Sequence, residues 1–166
     1  MMTIYTIGHS HTSIERFIEL LGLYRVEVLI DTRSQPYSRW APQFNRESLK
    51  ASLQQAGIAY LDLGDTLGGR PRNPAYKLPN GKVDYARLAR APAFLGGIQR
   101  LKREAEERRV TVMCSEADYR KCHRFWLITR ALVADSVDVQ HILHSGELAQ
   151  TPPDAFAAAV EQLRLF

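Results

Sequence analysis

The chain has 166 residues, 45% hydrophobic and 24% charged, with a net charge of +4 and two cysteines. That length suits one domain, residues 1–166, able to bury roughly 70% of its unfolded surface without staples. Two cysteines are too few for a disulfide scaffold. The chain shows no apolar run near ~18 residues and no secretory leader, so the expectation is a cytoplasmic protein with reduced thiols and no membrane partner.

In chain order, Thr3–Ile7 reads as a first strand ended by Gly8. Thr12 with Glu15 fits a capping box before a helix carrying Ile14, Phe17, Ile18 and Leu21, closed by Gly22. Val26–Asp31 is a second strand. Ser34–Phe44, held by Pro36 and Pro42, reads as a long loop, and such loops in compact domains usually carry function. Asn45 caps a second helix with Leu49, Leu53 and Ala56 inward, and Ile58–Leu63 is a third strand. Gly64–Lys82 contains Pro71, Pro74 and Pro79 and cannot be much of a helix. A helical region broken at Pro92 follows, with Phe94, Leu95, Ile98 and Leu101 as its apolar stripe. Val110–Cys114 is the fourth strand. A short polar turn then leads to a helix whose start is crowded with Cys122, His123 and Arg124. Val137–Ile142 alternates with Asp138 and Gln140 and reads as a fifth, edge strand. A final helix is expected over Asp154–Leu163.

Alternating strands and helices at this spacing predict an α/β fold: an open, mostly parallel five-stranded sheet with helices on both faces, three-layered and Rossmann-like. Ligands of such sheets sit outside the carboxyl ends of the strands, where the strand order reverses. The polar residues fall there: His9 and Ser10 after the first strand, Asp31 and Arg33 after the second, Gly68-Gly69-Arg70 after the third, Glu116 after the fourth, His141 and His144 after the fifth.

Several of these stretches together resemble the family catalogued as domain of unknown function 488. They are Tyr5-Thr6-Ile7-Gly8-His9-Ser10; Asp31-Thr32-Arg33 with Pro36, Ser38-Arg39, Pro42 and Phe44; Gly57-Ile58 with Tyr60; Leu67-Gly68-Gly69; and Cys114-Ser115-Glu116 with Cys122-His123-Arg124. The resemblance runs over nearly the whole chain. It implies a compact α/β domain of bacterial and archaeal type and carries no established activity. The family usually has Asp-Val-Arg where Asp31-Thr32-Arg33 stands, often Cys-Ala-Glu where Ser115 stands, and Asp-Pro where Asp118-Tyr119 stands. The last of these points to Asp118 as a helix cap.

Seventeen of the 22 cations are arginine, the side chain suited to bidentate contact with phosphate or carboxylate. The first functional reading is therefore a phosphate-bearing ligand, a nucleotide or nucleic acid, acted on by a hydrolase or transferase. Arg33, Arg39 and Arg124 neutralise the anion, with Ser10, Gly69 and Arg70 also in the ligand site. Glu116 or Asp31 is the acid–base group, assisted by His9 or His123. The structural alternatives are that Glu116 and Arg124 form a salt bridge fixing the turn to the helix, and that Asp31 and Arg33 anchor their loop to neighbouring loops.

A second reading is a non-catalytic nucleic-acid-binding module, resting on Arg70, Arg72, Lys77 and Lys82 with Tyr76 among them. A third is a cysteine-based redox or phosphatase enzyme. Cys114 and Arg120 have the C-x5-R spacing of a phosphatase loop, but Ser115–Tyr119 contains no glycine to turn successive N–H groups inward, and Glu116 and Asp118 repel a dianion. Cys122 is either a core residue, sharing a helical face with Phe125, Trp126 and Thr129, or a thiolate favoured by nearby cations. Cys114, Cys122, His123 and His9 lack the paired spacing of a structural zinc site, so no ligand set compels a metal or any other cofactor.

Overall fold

The computed structural model describes residues 1–157. Its strands are β1 (Thr3–Gly8), β2 (Val28–Asp31), β3 (Ala59–Asp62), β4 (Val110–Cys114), β5 (Asp138–Ile142) and β6 (Leu148–Gln150), and its longer helices are α1 (Ile14–Leu23), α2 (Arg46–Gln55) and, after the short α3 (Gly64–Leu67) and α4 (Tyr85–Leu88), α5 (Pro92–Glu107). A last short helix, α6 (Arg130–Ala134), precedes β5. The six strands form one sheet in the order β3-β2-β4-β1-β5-β6. The first five pair in parallel, with Tyr5 opposite Thr111 and Gln140, and Leu29 opposite Tyr60 and Thr111.

Alternate strand residues feed two cores. Tyr5, Ile7, Leu29 and Met113 pack with Phe17, Leu20 and Leu21 of α1 and Leu49 and Leu53 of α2. Ile4, Val28, Ile30, Val110, Val112 and Val139 pack on the other face with Phe94, Ile98 and Leu101 of α5 and Leu132 of α6. Strands buried on both faces read as continuous apolar runs, which is why the bounds of β4, Val110–Cys114, are legible in the sequence. Fully burying a side chain such as Leu20 or Phe94 contributes roughly 1.5–3 kcal/mol.

The structure corrects several expectations. The cap of α1 is Ser13, whose hydroxyl accepts from the Arg16 N–H at 3.1 Å, while the Thr12 N–H closes the preceding turn on the His9 carbonyl. Gly22 lies inside that helix rather than ending it. Leu95 is 49% exposed, and Ala56 faces solvent. Pro92 starts α5 at a position where its missing N–H costs nothing. Strand β5 is not an edge: the antiparallel β6 covers it, pairing Gln140 with Gln150 and Ile142 with Leu148. Three residues are too few to show a period, so this sixth strand left no sequence signal. The expected helix over Asp154–Leu163 lies outside the described residues beyond 157, and Asp154–Ala157 form a turn.

The segment after β4 departs most. Asp118 does cap, accepting from the Arg120 N–H at 3.0 Å, but it caps a single 3-10 turn at Tyr119–Lys121. A π-helical stretch, Arg124–Thr129, follows and runs into α6. The wider turn takes Thr129 Oγ1 to the Arg124 carbonyl at 2.7 Å, and stretches of this kind occur disproportionately at functional sites. Among the described residues no helix is long and apolar enough to cross a membrane.

Candidate functional site

The chain leaves β1 toward the α1 face and leaves β4 toward the α5–α6 face, and these two strands are neighbours. Their loops part, and a cavity of about 500 Å³ opens beyond them. This is the switch-point crevice that a parallel sheet of this order must have. The ladder continues past the strands: the His9 N–H donates to the Cys114 carbonyl at 3.0 Å and the Ser10 N–H to the Ser115 carbonyl at 2.9 Å. Gly8 is required here, because a Cβ would stand 1.7 Å from the Glu116 carbonyl oxygen. Ser10 then turns with φ of 46°, a sparsely populated region for a non-glycine residue.

Beneath the crevice floor lies a buried ion pair. Asp31 is 0% exposed and accepts from Arg33 Nε at 2.9 Å, Arg33 NH2 at 2.8 Å and the Arg33 backbone N–H at 3.1 Å. The Tyr60 hydroxyl donates to the same carboxylate at 2.7 Å, and burial together with that anion raises its pKa above the ordinary phenol range. Asp31 is therefore saturated and does not line the cavity, so it is placed to orient Arg33 rather than to move a proton. Arg33 lines the cavity, with one N–H on each terminal nitrogen left over after its bonds to Asp31 and His9.

His9 stacks on Phe44 at 4.6 Å, donates from Nδ1 to the Ser10 carbonyl at 2.8 Å, and presents Nε2 to Arg33 NH1 at 3.3 Å. Burial, aided by the Arg33 charge, lowers its pKa to about 4. Both ring nitrogens are engaged, so the neutral ring holds Arg33 in place. His123 also lines the cavity; its Nε2–H donates to the Thr32 carbonyl at 3.1 Å, leaving Nδ1 as an acceptor, and burial lowers its pKa to about 4. Gly69 packs on that ring, where a Cβ would come within 2.6 Å of it. Its lack of a side chain makes room for that ring at the cavity wall.

Arg124 was expected at the rim, paired with the Glu116 carboxylate. It is instead 1% exposed and takes the carbonyls of Glu116 and Ala117 at 3.0 and 3.5 Å. Its NH1 donates to Thr6 Oγ1 at 2.9 Å; the Thr6 hydroxyl in turn donates to His141 Nδ1 at 2.6 Å, and His141 Nε2 donates to Thr151 Oγ1 at 2.7 Å. A proton on His141 Nδ1 would confront the Thr6 hydroxyl with a second donor. Burial, then the Arg124 charge, lowers the His141 pKa to about 3. His144 does not face the crevice either; it holds the Gly8 carbonyl at 2.6 Å.

Ser10, Arg33, Gly69, Arg70, Glu116, His9 and His123 thus meet at one crevice, while Asp31 and Arg124 lie behind it. Arg39 stays outside the lining, its guanidinium 5.1 Å over the Trp40 ring. Arg120 pairs with Asp118 at 3.1 Å instead of turning toward Cys114, so no C-x5-R phosphatase loop forms. The lining also holds Tyr37, Trp40 and Lys121, which the sequence reading missed. Tyr37 and Trp40 are 61% and 74% exposed, and two large aromatics on one proline-held loop were the signal available. The Glu116 carboxylate has no ion pair or hydrogen bond among the described residues. No cluster of three or more His, Cys, Asp or Glu residues among them could hold a metal.

An open, mainly parallel α/β sheet with an arginine-floored crevice at its switch point is the class this architecture defines. Over residues 13–131 the chain matches the family described as Domain of unknown function DUF488, and it belongs to that family. No curated protein and no solved structure matches it.

Proposed function

We propose that the crevice binds a phosphate-bearing small molecule with an aromatic base, a nucleotide, in the cytoplasm. The reading is carried by Arg33: its guanidinium is locked on buried Asp31, lines the cavity, and keeps two N–H donors without a partner among the described residues. Asp31 compensates its charge, so Arg33 supplies directed donors, while Arg70 and Lys121 supply net positive charge against the single carboxylate of Glu116. Tyr37 and Trp40 offer faces on which a base stacks, worth roughly 1–3 kcal/mol per base. Glu116, on the wall with no partner for its carboxylate among the described residues, is the acid–base group of a hydrolase or transferase.

The test is a thermal-shift screen of nucleotides, phosphosugars and short oligonucleotides against wild type, Arg33→Ala and Glu116→Gln. A nucleotide at a hundredfold its Kd stabilises wild type by about 2.7 kcal/mol, and Arg33→Ala abolishes the shift. Glu116→Gln keeps binding but loses turnover. Equal shifts in wild type and Arg33→Ala would sink the reading. The second reading, a nucleic-acid module, has exposed Arg72, Lys77 and Lys82 in its favour, but Tyr76 is partly buried against the core. It requires oligonucleotide binding that weakens steeply with salt.

A further inference from the structure

The nucleotide reading leaves the two thiols unused. Cys114 ends β4 and is 1% exposed; Cys122 is half-buried, between the 3-10 turn and the π-helical stretch. Their sulfurs are 2.9 Å apart, and both residues line the crevice. One sits on a rigid central strand. The other sits at an irregular junction, where a small shift breaks no regular helix.

Behind them, Arg124 poses a question of charge. It is buried, has no carboxylate within ion-pair distance among the described residues, and donates to Thr6 Oγ1 and to the carbonyls of Glu116 and Ala117. Its Nε has no hydrogen-bond partner there. A guanidinium taken out of water among neutral oxygens is costly unless an anion balances it. Its charge acts on both thiols, and the less buried of the two, Cys122, is the one able to become that anion. The hydrogen bond from Cys114 and the Arg124 charge lower the Cys122 pKa, while burial raises that of Cys114. That asymmetry is the one an attacking and a resolving sulfur need.

We propose that Cys114 and Cys122 form a two-electron redox couple that undergoes exchange with a low-molecular-weight disulfide, Cys122 attacking and Cys114 resolving. The Cys122 thiolate attacks one sulfur of the disulfide, forming a mixed disulfide and releasing one small thiolate. Cys114 gives its proton to that departing thiolate and attacks Cys122 Sγ, expelling the second thiolate. The protein loses two electrons and one proton beyond the thiolate already present; the small disulfide gains them and becomes one thiol and one thiolate. This activity is independent of the nucleotide reading and needs no anion in the crevice.

The full chain is equilibrated in graded mixtures of reduced and oxidised glutathione, and residual thiols are alkylated and counted by mass. Wild type passes through one two-electron transition to an internal disulfide, reversed by dithiothreitol. Native wild type at neutral pH shows ultraviolet thiolate absorbance, which Cys122→Ser abolishes and Cys114→Ser retains. Cys114→Ser, or Cys114→Ala should the serine fold poorly, accumulates a glutathione adduct on Cys122, and Cys122→Ser forms adduct at least tenfold more slowly. Wild type that keeps both thiols at the oxidising end while remaining folded overturns the proposal. So does a disulfide between two chains, or an adduct that collects on Cys114.

Discussion

Replacing Asp31 by asparagine separates a positioning role from a proton-transfer role. The carboxylate accepts four hydrogen bonds: on Oδ1 from the Arg33 backbone N–H and Nε, on Oδ2 from Arg33 NH2 and the Tyr60 hydroxyl. The amide puts an NH2 group in place of one oxygen. The Tyr60 hydroxyl can turn to accept from it, but Arg33 NH2 cannot, and the Arg33 charge loses its partner at 6% exposure. Breaking a buried pair this way costs about 3–5 kcal/mol, which in a domain of this size is a Tm loss of roughly 6–20 °C. Urea unfolding followed by circular dichroism measures it. Adding Arg33→Met to Asp31→Asn removes the orphaned charge and returns about half of the loss or more, without restoring ligand binding. A single-variant cost under about 1 kcal/mol, or a double variant no more stable than the single, would refute the account of Asp31 as the anchor of Arg33.

Acidification tests the buried histidines. His9, His123 and His141 have folded pKa values of about 4, about 4 and about 3 against 6.5 unfolded, so below pH 6.5 the unfolded chain binds protons the folded one refuses. Stability is unaffected above 6.5 and falls as pH drops from there toward 4 and 3, by about 2 kcal/mol per histidine between neutrality and about pH 5; a flat unfolding free energy over that range would contradict their neutral burial. Gly69→Ala drives a methyl into the His123 ring, within 2.6 Å of its Cγ, and is expected to displace that ring from the Thr32 carbonyl and weaken ligand binding more than tenfold; calorimetric titration of the ligand found above, unchanged in the variant, would count against it. Arg70→Ala with Lys121→Ala lowers affinity and flattens its salt dependence, because these are the exposed cations of the lining, whereas Arg33→Ala lowers affinity at every ionic strength.

The order of strands along the chain and the convergence of their loops could be read from apolar runs and from where polar residues follow them. His9, Arg33, Gly69 and Glu116 were brought together on that ground alone. What could not be read was depth. Asp31 and Arg124 carry the same chemistry as Glu116 and Arg33, and only their neighbours decide that they lie behind the wall. Arg124 was misplaced for a further reason. A regular helix after Asp118 would turn it toward the rim, whereas the 3-10 turn and the π-helical stretch rotate it inward to Thr6. Tyr37 and Trp40 sit on an irregular loop, where no period marks which side chains face a cavity.

The position of β1 has a practical corollary. It bridges β4 and β5, yet it lies wholly before the span matched to the family, as β5 lies after it. A fragment trimmed to residues 13–131 would expose the flank of β4 as an unsatisfied template for any passing strand and would discard Gly8, His9 and Ser10 with it. Such a truncation is a recipe for aggregation rather than a minimal domain, and probes or tags are better carried on the outer side of α2, away from Leu49 and Leu53, or on the 78–82 turn.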